Sequence, residues 1–474
     1  MLSVIAAVAA LNGVFLAVGY CLLAPALKEL PALVWTTFAG IALLVGAAAI
    51  GVALCVLAAL GLQTGLRTLL SVAGVFAVAG GLAALLAPQP RLQTIRFRIT
   101  RPRRSQLAGA VFGTAAAMFV ACACALTVFA AFRSSPWLND TYTFWLPKGL
   151  VLGSHGLDDR LFTQNDQYVG FVSPDYPLRW SVIGGLEMDF VRTIDLRAVN
   201  AQISVLLAAF VASVARLLWG RVRTWILWTA LAFLVVSAEL LHETQSGGAD
   251  VPLAVYVALT VLASLLWLAS GEGFFVALAG VAAAAAANIK VEGAPQLVVL
   301  VVLPTIVVWP IVRRRGAILI AALVAAWATS VPWLVWRARH DVPSDFDLRS
   351  AFDPGYLADR AGRIGPSAQA VVTSLVGRDW PLIVPVFLAL TILGVVLERR
   401  ALWLLPAGVF GACVALWVWT YWAGSTPLDF WLSTSAYRVV DGLLLATAVT
   451  IPLMAERVLQ DLDARRIAMI SGSG

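Results

Sequence analysis

Apolar runs of roughly 17 to 25 residues recur along the whole chain, and each has the length that an α-helix needs to cross a bilayer. We count about thirteen of these runs by that criterion. They fall at 1–24, 35–61, 66–88, 107–132, 198–218, 224–241, 251–269, 274–288, 294–312, 316–336, 380–397, 401–423 and 436–455. Hydrophobic residues make up 61% of the 474 positions, charged residues 12%, and the mean hydropathy is +0.89, which excludes a water-soluble domain with a single core. The sequence therefore predicts an all-α, polytopic bundle of transmembrane helices.

Basic residues orient the helices, because loops on the cytoplasmic side of a membrane retain Lys and Arg. Arginine-rich segments at 91–104, 220–223 and 313–315 fall on one side if the helices alternate, and we assign that side to the cytoplasm. The net charge of +7 then reflects this bias and contact with anionic membrane lipids, and it gives no reason to invoke nucleic acid. The same alternation places the predicted outer loops at 133–197, 242–250, 289–293, 337–379 and 424–435, with a cytoplasmic tail at 456–474.

The distribution of polar residues divides the chain into two parts. Residues 1–88 hold three helices with very few polar side chains, and a basic cytoplasmic loop follows at 89–106. We interpret these three helices as an accessory module. Residues 107–455 carry acids and aromatic residues in the outer loops, so any chemistry belongs there. The first outer loop, 133–197, is too long for a simple connector, and we expect it to form short helices along the membrane.

The segment NDTYTFWLPKGL, residues 139–150, directly follows the fourth apolar run. Asp140 in this segment could act as a general base toward a hydroxyl group. Tyr142 and Trp145 could pack against a sugar, and Lys148 could hold an anion. The alternative is an interfacial belt, because aromatic residues and solvated acids both favour the depth of the lipid head groups.

A second acid lies later in the same loop, in SPDYPLRW, residues 173–180. Prolines on both sides of Asp175 restrict the backbone, and a rigid loop is suited to hold a catalytic acid in place. Tyr176 and Arg179 beside it are candidates for substrate binding. An ordinary proline-containing turn with an Asp at its start is the alternative.

A short polar hairpin, HETQSGGADVPLA at 242–254, separates two apolar runs. We take His242, Glu243 and Gln245 as candidates for substrate binding, since none of them has an evident structural role. A neighbouring His and Glu could also bind a metal ion, although one His among scattered acids is weak support for that. We interpret Asp250 as a helix cap, because it stands where the next helix should begin.

Two basic residues are placed against the positive-inside trend or within an apolar run. Lys290, in NIKVEG at 288–293, is one of three lysines in the chain and would face outward, where it could bind a phosphate. Snorkelling, or pairing with Glu292, is the alternative, and Glu292 is itself a candidate for substrate binding. Arg438 would lie about one turn inside the last helix, where an ionisable group is costly, and its alternative role is a salt bridge with Asp441.

These five segments, in this order, resemble the GT-C superfamily of integral membrane glycosyltransferases, in particular the bacterial group of protein-O-mannosyltransferases and aminoarabinose transferases. The resemblance covers roughly residues 130–445 and rests on NDTYTFWLPKGLVL, SPDYPLRW, SGGADVPLA, NIKVEG and LDFWLSTSAYRVV. It implies a GT-C-like fold with a long catalytic first outer loop. In that family this loop carries the catalytic Asp directly after a transmembrane helix, which corresponds to Asp140, and a second acid, for which Asp175 is the best match.

The resemblance further implies an inverting transfer of a sugar from a polyprenyl-phosphate donor to the hydroxyl group of a glycan, lipid or protein. Lys290, Lys148 and Arg438 would then bind the donor phosphate. The enzyme would be a multi-pass protein of the bacterial inner membrane with its active site facing outward. No cofactor is assigned, and a divalent cation remains an open alternative. A transporter or flippase of lipid-linked glycans and a non-catalytic accessory subunit are the competing functions, but charges near one surface and the lack of an evident inverted repeat favour an enzyme.

Overall fold

The computed structural model describes residues 1–87, 107–157, 175–342, 347–377, 380, 382–398 and 401–471. Within these residues all regular structure is helical, apart from one isolated bridge between Trp219 and Val222. Long runs of apolar residues explain this, because only a helix satisfies every backbone hydrogen bond inside one segment surrounded by lipid. The predicted all-α fold class is therefore confirmed.

The α-helices are numbered here in chain order. The first half of the chain contains α1 (Leu2–Leu27), α2 (Ala32–Thr36), α3 (Ala39–Ala59), α4 (Leu66–Leu86), α5 (Leu107–Ala131), α6 (Leu146–Ser154), α7 (Arg179–Val191), α8 (Arg197–Leu218), α9 (Thr224–Val235) and α10 (Ala238–Glu243). The second half contains α11 (Asp250–Ser270), α12 (Gly273–Ala287), α13 (Gly293–Leu297), α14 (Leu303–Val307), α15 (Trp309–Ala328), α16 (Val331–Arg339), α17 (Leu348–Ala351), α18 (Pro354–Asp359), α19 (Ile364–Val376), α20 (Ile383–Glu398), α21 (Leu404–Ala423), α22 (Leu428–Val439) and α23 (Asp441–Ser471). Single π-helical turns at Thr141–Trp145 and Val298–Val302 precede α6 and α14, and 3₁₀ turns lie at Ala361–Arg363 and Ala401–Trp403.

Nine helical segments among the described residues are long and apolar enough to cross a membrane, so the chain is a multi-pass membrane protein. They are Leu2–Leu27, Ala39–Ala59, Leu66–Leu86, Gly109–Ala131, Arg197–Leu218, Asp250–Ser270, Trp309–Arg339, Leu404–Ala423 and Leu428–Met469. Four shorter apolar helices, Thr224–Val235, Gly273–Ala287, Gly293–Val307 and Ile383–Glu398, overlap the remaining predicted runs. The count of thirteen spans stays a prediction, because those four are shorter than a bilayer requires.

Burial separates central from peripheral helices. The apolar windows of α8 and α11 are 78% and 89% buried inside the protein, whereas those of α4 and α5 are only 11% buried. Helix α3 is also central, at 72%, so the first helices pack into the same body as the later ones. A reciprocal pair of amide hydrogen bonds between Asn12 on α1 and Gln202 on α8, of 2.7 and 3.1 Å, joins the two parts. The accessory role of residues 1–88 remains a prediction.

Two predicted boundaries are corrected by the structure. The segment 424–435 was expected to be an outer loop, but helix α22 already begins at Leu428. Arg438 consequently lies near the end of α22, and the final helix α23 begins three residues later at Asp441. In the first outer loop, α6 and α7 are short helices, as predicted. The basic loop 89–106 and residues 158–174 of the outer loop lie outside the described part of the chain.

Candidate functional site

Charged residues from four distant parts of the chain meet where several helices begin or end. Asp250 is the first residue of α11, Lys290 follows α12 by three residues, and Arg438 is the penultimate residue of α22. Asp140 stands directly before the π-helical turn that leads into α6. Apolar helices concentrate their polar residues at their ends, so packing these ends together collects the charges into one cluster.

Asp250 and Arg438 form the centre of this cluster. The guanidinium group of Arg438 donates to Asp250 Oδ2 from Nε at 3.0 Å and from Nη2 at 2.7 Å. Nη2 also donates to Asp140 Oδ2 at 2.8 Å. On the other side, Lys290 Nζ donates to Asp250 Oδ1 at 2.8 Å and lies 3.5 Å from Glu292 Oε1. Asp140 and Lys290 are therefore joined through Asp250 and Arg438 in one continuous chain of ionic contacts.

Exposure differs sharply along the cluster. The side chains of Asp250, Arg438 and Lys290 are 3%, 7% and 7% exposed, whereas Asp140 is 28% exposed. Asp140 is thus the one carboxylate bound to Arg438 that a ligand from solvent can reach. A very small cleft of about 10 Å³ adjoins the buried end and is lined by Asp250, Leu253, Lys290, Glu292, Gln296, Arg438, Val439 and Gly442.

Aromatic residues cover one side of the cluster. Tyr176 donates its hydroxyl to Glu292 Oε1 at 3.3 Å, and Lys290 Nζ lies 5.6 Å from the centre of the Tyr176 ring. Trp145 stacks on the other side of Tyr176 with 5.6 Å between ring centres, but it is only 3% exposed. Tyr176 stacks on the Trp145 ring in this structure, and the prediction that Trp145 contacts a substrate stays a prediction. Tyr176 contacts the charges directly, through Glu292 and Lys290.

The loop that carries Asp140 is held against the hairpin at 242–250. Thr141 Oγ1 donates to the carbonyl oxygen of Ser246 at 3.0 Å, and Trp180 Nε1 donates to that of Gly247 at 3.0 Å. Gly247 has φ +76°, and a Cβ atom there would lie 2.6 Å from Thr141 Oγ1, so only glycine fits this contact. The predicted substrate residue Tyr142 is 43% exposed and donates its hydroxyl to the carbonyl of Pro136 in its own loop.

Two predicted site residues are engaged elsewhere. Arg179 is fully buried between helices, donates to the carbonyl of Ala47 at 3.1 Å and to the Tyr256 hydroxyl at 2.9 Å, and cannot contact a substrate. Its role is to pack α7 against α3 and α11, and the substrate-binding prediction for it is wrong. Asp175 is 3% exposed and pairs at 3.7 Å with Arg337 on α16, and its predicted catalytic role stays a prediction.

Lys148 and the hairpin residues lie around the cluster. Lys148 is buried, with Nζ 5.7 Å from the centre of the Phe144 ring. His242 is exposed, Gln245 is half-buried and Glu243 is fully buried. Burial, and then the negative charge of Asp250, raise the pKa of Glu243 to about 8. Burial lowers the pKa of Lys290, but the charges of Asp250 and Glu292 outweigh this and hold the pKa above its ordinary value.

Two acids of the cluster were missed as site residues. Asp250 was interpreted as a helix cap, yet Ala249 occupies the cap position, no side-chain cap bond forms, and the Asp250 carboxylate binds Arg438 and Lys290. Asp441 was considered only as a partner for Arg438. It is 1% exposed, and neither of its carboxylate oxygens accepts a hydrogen bond from the described residues. An ionisable residue at the first position of an apolar helix was the signal for both.

Comparisons of the chain with protein-family models, with curated proteins and with solved structures find no match in any of the three. The function is therefore argued from the cluster itself.

Proposed function

We propose that the protein is an inverting glycosyltransferase that moves a sugar from a polyprenyl-phosphate donor to an acceptor hydroxyl on the outer side of the membrane. The observation that carries this proposal is the position of Asp140. Its carboxylate is the more exposed of the two described acids that bind Arg438, and Arg438, which is itself bound to Asp250, holds it in place. An accessible and oriented carboxylate beside buried cations is the arrangement that a single displacement at a glycosyl phosphate requires.

In this reaction Asp140 takes the proton from the acceptor hydroxyl. The hydroxyl oxygen forms a bond to the anomeric carbon while the bond from that carbon to the phosphate oxygen breaks. The bonding electron pair leaves with the lipid phosphate, whose negative charge requires a cation. Arg438 lies within 2.8 Å of Asp140, so one group can hold both the base and the departing phosphate.

The balance of charge constrains how the donor binds. Arg438 and Lys290 already contact carboxylates in the described structure, so a phosphate must displace or share one of these partners. Asp140 is the exposed partner and therefore the one that can turn toward an acceptor as the phosphate approaches Arg438. Lys148 is the third cation proposed for the donor phosphate, and Tyr176 is the ring proposed to contact the sugar.

The positions of the charges also favour an enzyme over a transporter of lipid-linked glycans. Transporters built from broken helices bind their substrates near the bilayer midplane. Here Asp250 begins a helix, Lys290 lies between two helices and Arg438 nearly ends one. A cluster at helix ends suits chemistry at the depth of lipid phosphates.

Sugar transfer by purified protein from synthetic polyprenyl-phosphate donors tests this proposal. The change Asp140→Asn keeps the shape of the side chain and removes the base, so transfer should fall by on the order of 10²-fold or more while donor binding survives. Asp429→Asn is the matched control, because Asp429 is an exposed acid on α22, and it should leave transfer unchanged.

An Asp140→Asn protein with full activity would contradict the assignment of the base. A wild-type protein that is inert toward every donor but moves lipid-linked glycans between the leaflets of a vesicle would replace the enzyme by the transporter.

A further inference from the structure

A second cluster of polar residues lies beside the first, on the short helix α10. Glu239, His242 and Glu243 occupy positions i, i+3 and i+4, which places their side chains on one face of the helix. One ligand atom from each residue lies within 4.8 Å of the others. Ligand atoms that each lie about 2.0–2.2 Å from one ion are at most about 4.4 Å apart, so these side chains would need to move only slightly closer to share an ion.

The burial and the poor hydrogen bonding of Glu243 indicate that its carboxyl group lacks a positively charged partner among the described residues. The residue is 0% exposed, and its carboxylate interacts with the Ser246 side chain but forms no well-formed hydrogen bond with the part of the chain that the structure describes. Its Oε1 atom lies 3.9 Å from His242 Nδ1, so the carboxylate is aimed at the imidazole within the cluster. A buried carboxylate without hydrogen bonds is costly, and buried charges in proteins are normally paired or bound to a metal.

His242 has a fixed ring and an open side. The indole ring of Trp137 stacks against the imidazole with 4.3 Å between ring centres, and Trp137 Nε1 donates to the backbone carbonyl of His242 at 3.2 Å. The His242 side chain is nevertheless 56% exposed. An ion can therefore reach an oriented nitrogen ligand from solvent, with the two buried carboxylates behind it.

Further acids surround this cluster, so its carboxyl groups must be neutralised by protons or by a bound cation. Glu243 interacts electrostatically with Asp250 and with Arg438, which itself contacts Asp250 and Asp140. Asp441, also fully buried, interacts with Glu243 and Glu239. Arg438 is the cation that faces these groups from α22, and the acids outnumber it.

We propose that Glu239, His242 and Glu243 bind one divalent transition-metal ion of the Zn²⁺ or Mn²⁺ type. Two carboxylate oxygens and one imidazole nitrogen suit such borderline ions, whereas Mg²⁺ and Ca²⁺ prefer oxygen ligands alone. Three protein ligands leave a position open for water on the exposed side of His242. The transfer step proposed above does not use these three residues, although His242 and Glu243 are also predicted to bind substrate, and the test of metal binding does not depend on transfer activity.

Metal retention by the full-length protein in detergent, after chelator treatment and removal of any affinity tag, is the direct test. The protein is dialysed against Zn²⁺ and, in parallel, Mn²⁺, then against metal-free buffer, and bound metal is measured by elemental analysis. We expect one ion per chain for the wild type. We expect the metal affinity to fall by at least about tenfold in His242→Phe. Removing a residue that only hydrogen-bonds to a metal ligand already lowers metal affinity by about 10–100-fold.

His242→Phe keeps a ring to stack on Trp137 and changes a largely exposed side chain, so the protein should fold. His155→Ala, which removes another exposed histidine, is the matched control and should bind as the wild type does. Bound Co²⁺ supplies a second readout, since its visible absorption should change when the nitrogen ligand is lost. A wild type that retains no stoichiometric Zn²⁺ or Mn²⁺, or a His242→Phe protein with unchanged affinity, would overturn the proposal.

Discussion

Asp140 and Asp250 bind the same nitrogen of Arg438 at nearly the same distance, 2.8 and 2.7 Å, but in different surroundings. The Asp140 side chain is 28% exposed and the Asp250 side chain 3%. Asp250 also binds Lys290 at 2.8 Å. Replacing each acid by Asn is therefore a matched pair of perturbations that differ in burial and in the number of cations left behind.

The expected magnitudes follow from this difference. Asp250→Asn leaves two buried cations short of a partner, and removal of one member of a buried ion pair costs about 3–5 kcal/mol. Asp140→Asn removes a partly solvated partner, and exposed ion pairs contribute about 0–1 kcal/mol. The folding equilibrium should thus shift by at least about 10²-fold for Asp250→Asn and by less than about tenfold for Asp140→Asn, at 1.4 kcal/mol for each factor of ten.

Denaturant unfolding in mixed detergent micelles, followed by the fluorescence of the 18 tryptophans, measures both variants under identical conditions. A double variant, Asp250→Asn with Arg438→Met, checks the cause. Its loss of unfolding free energy should be smaller than the sum of the losses in the two single variants, because removing the Asp250 charge no longer leaves a guanidinium group unpaired. Equal losses for Asp140→Asn and Asp250→Asn, within about 0.5 kcal/mol, would refute the argument from burial.

Two further variants test the surroundings of the site in the same unfolding assay. Gly247→Ala should destabilise the protein by about 1–3 kcal/mol, because the new Cβ would meet Thr141 Oγ1 at 2.6 Å. Gly220→Ala, at a glycine with a similar positive φ but open space around it, should lose less free energy of unfolding. Equal losses in the two variants would exclude the collision as the cause. Asp441→Asn should keep or raise stability, because the carboxylate accepts no hydrogen bond from the described residues and faces other acids. A loss above about 1 kcal/mol would show that Asp441 has a partner.

The helical architecture could be predicted from the sequence, because a bilayer imposes both a length and a composition on every helix that crosses it. Three of the four short apolar helices are shorter than the runs predicted for them, whereas Gly273–Ala287 has the same 15 residues as the predicted run 274–288. Thr224–Val235, for example, ends before Ser237, and the polar helix α10 then begins at Ala238. Hydropathy locates the apolar residues, but it does not predict where the backbone turns and a helix ends.

The members of the charge cluster were mostly predictable, but their partners were not. Arg438 was singled out because an ionisable group inside an apolar run is costly, Lys290 because it faces outward against the positive-inside trend, and Asp140 because it follows an apolar run beside aromatic residues. Which acid meets which base depends on the packing of helices that are far apart in sequence. Asp250 and Arg438 are 188 residues apart in the sequence. Reasoning from nearby residues therefore gave Asp250 the role of a helix cap and gave Arg438 a salt bridge with Asp441. Arg179 shows the opposite error, since a motif in a predicted loop gave no sign that α7 begins there and buries the side chain.

The surplus of acid is what distinguishes this cluster from an ion-pair network that only stabilises a fold. Such a network gains most when each buried charge is matched, because an unmatched one carries its full desolvation cost. Here Arg438 and Lys290 are matched by Asp140, Asp250 and Glu292, and Glu243 and Asp441 add two further buried carboxyl groups close by. The excess must be offset by protons or by a cation. A metal ion on α10 would offset it on the side of Glu243 and would reduce the negative field that Glu243 exerts on Arg438, which links the proposed metal site to the proposed transfer through charge alone.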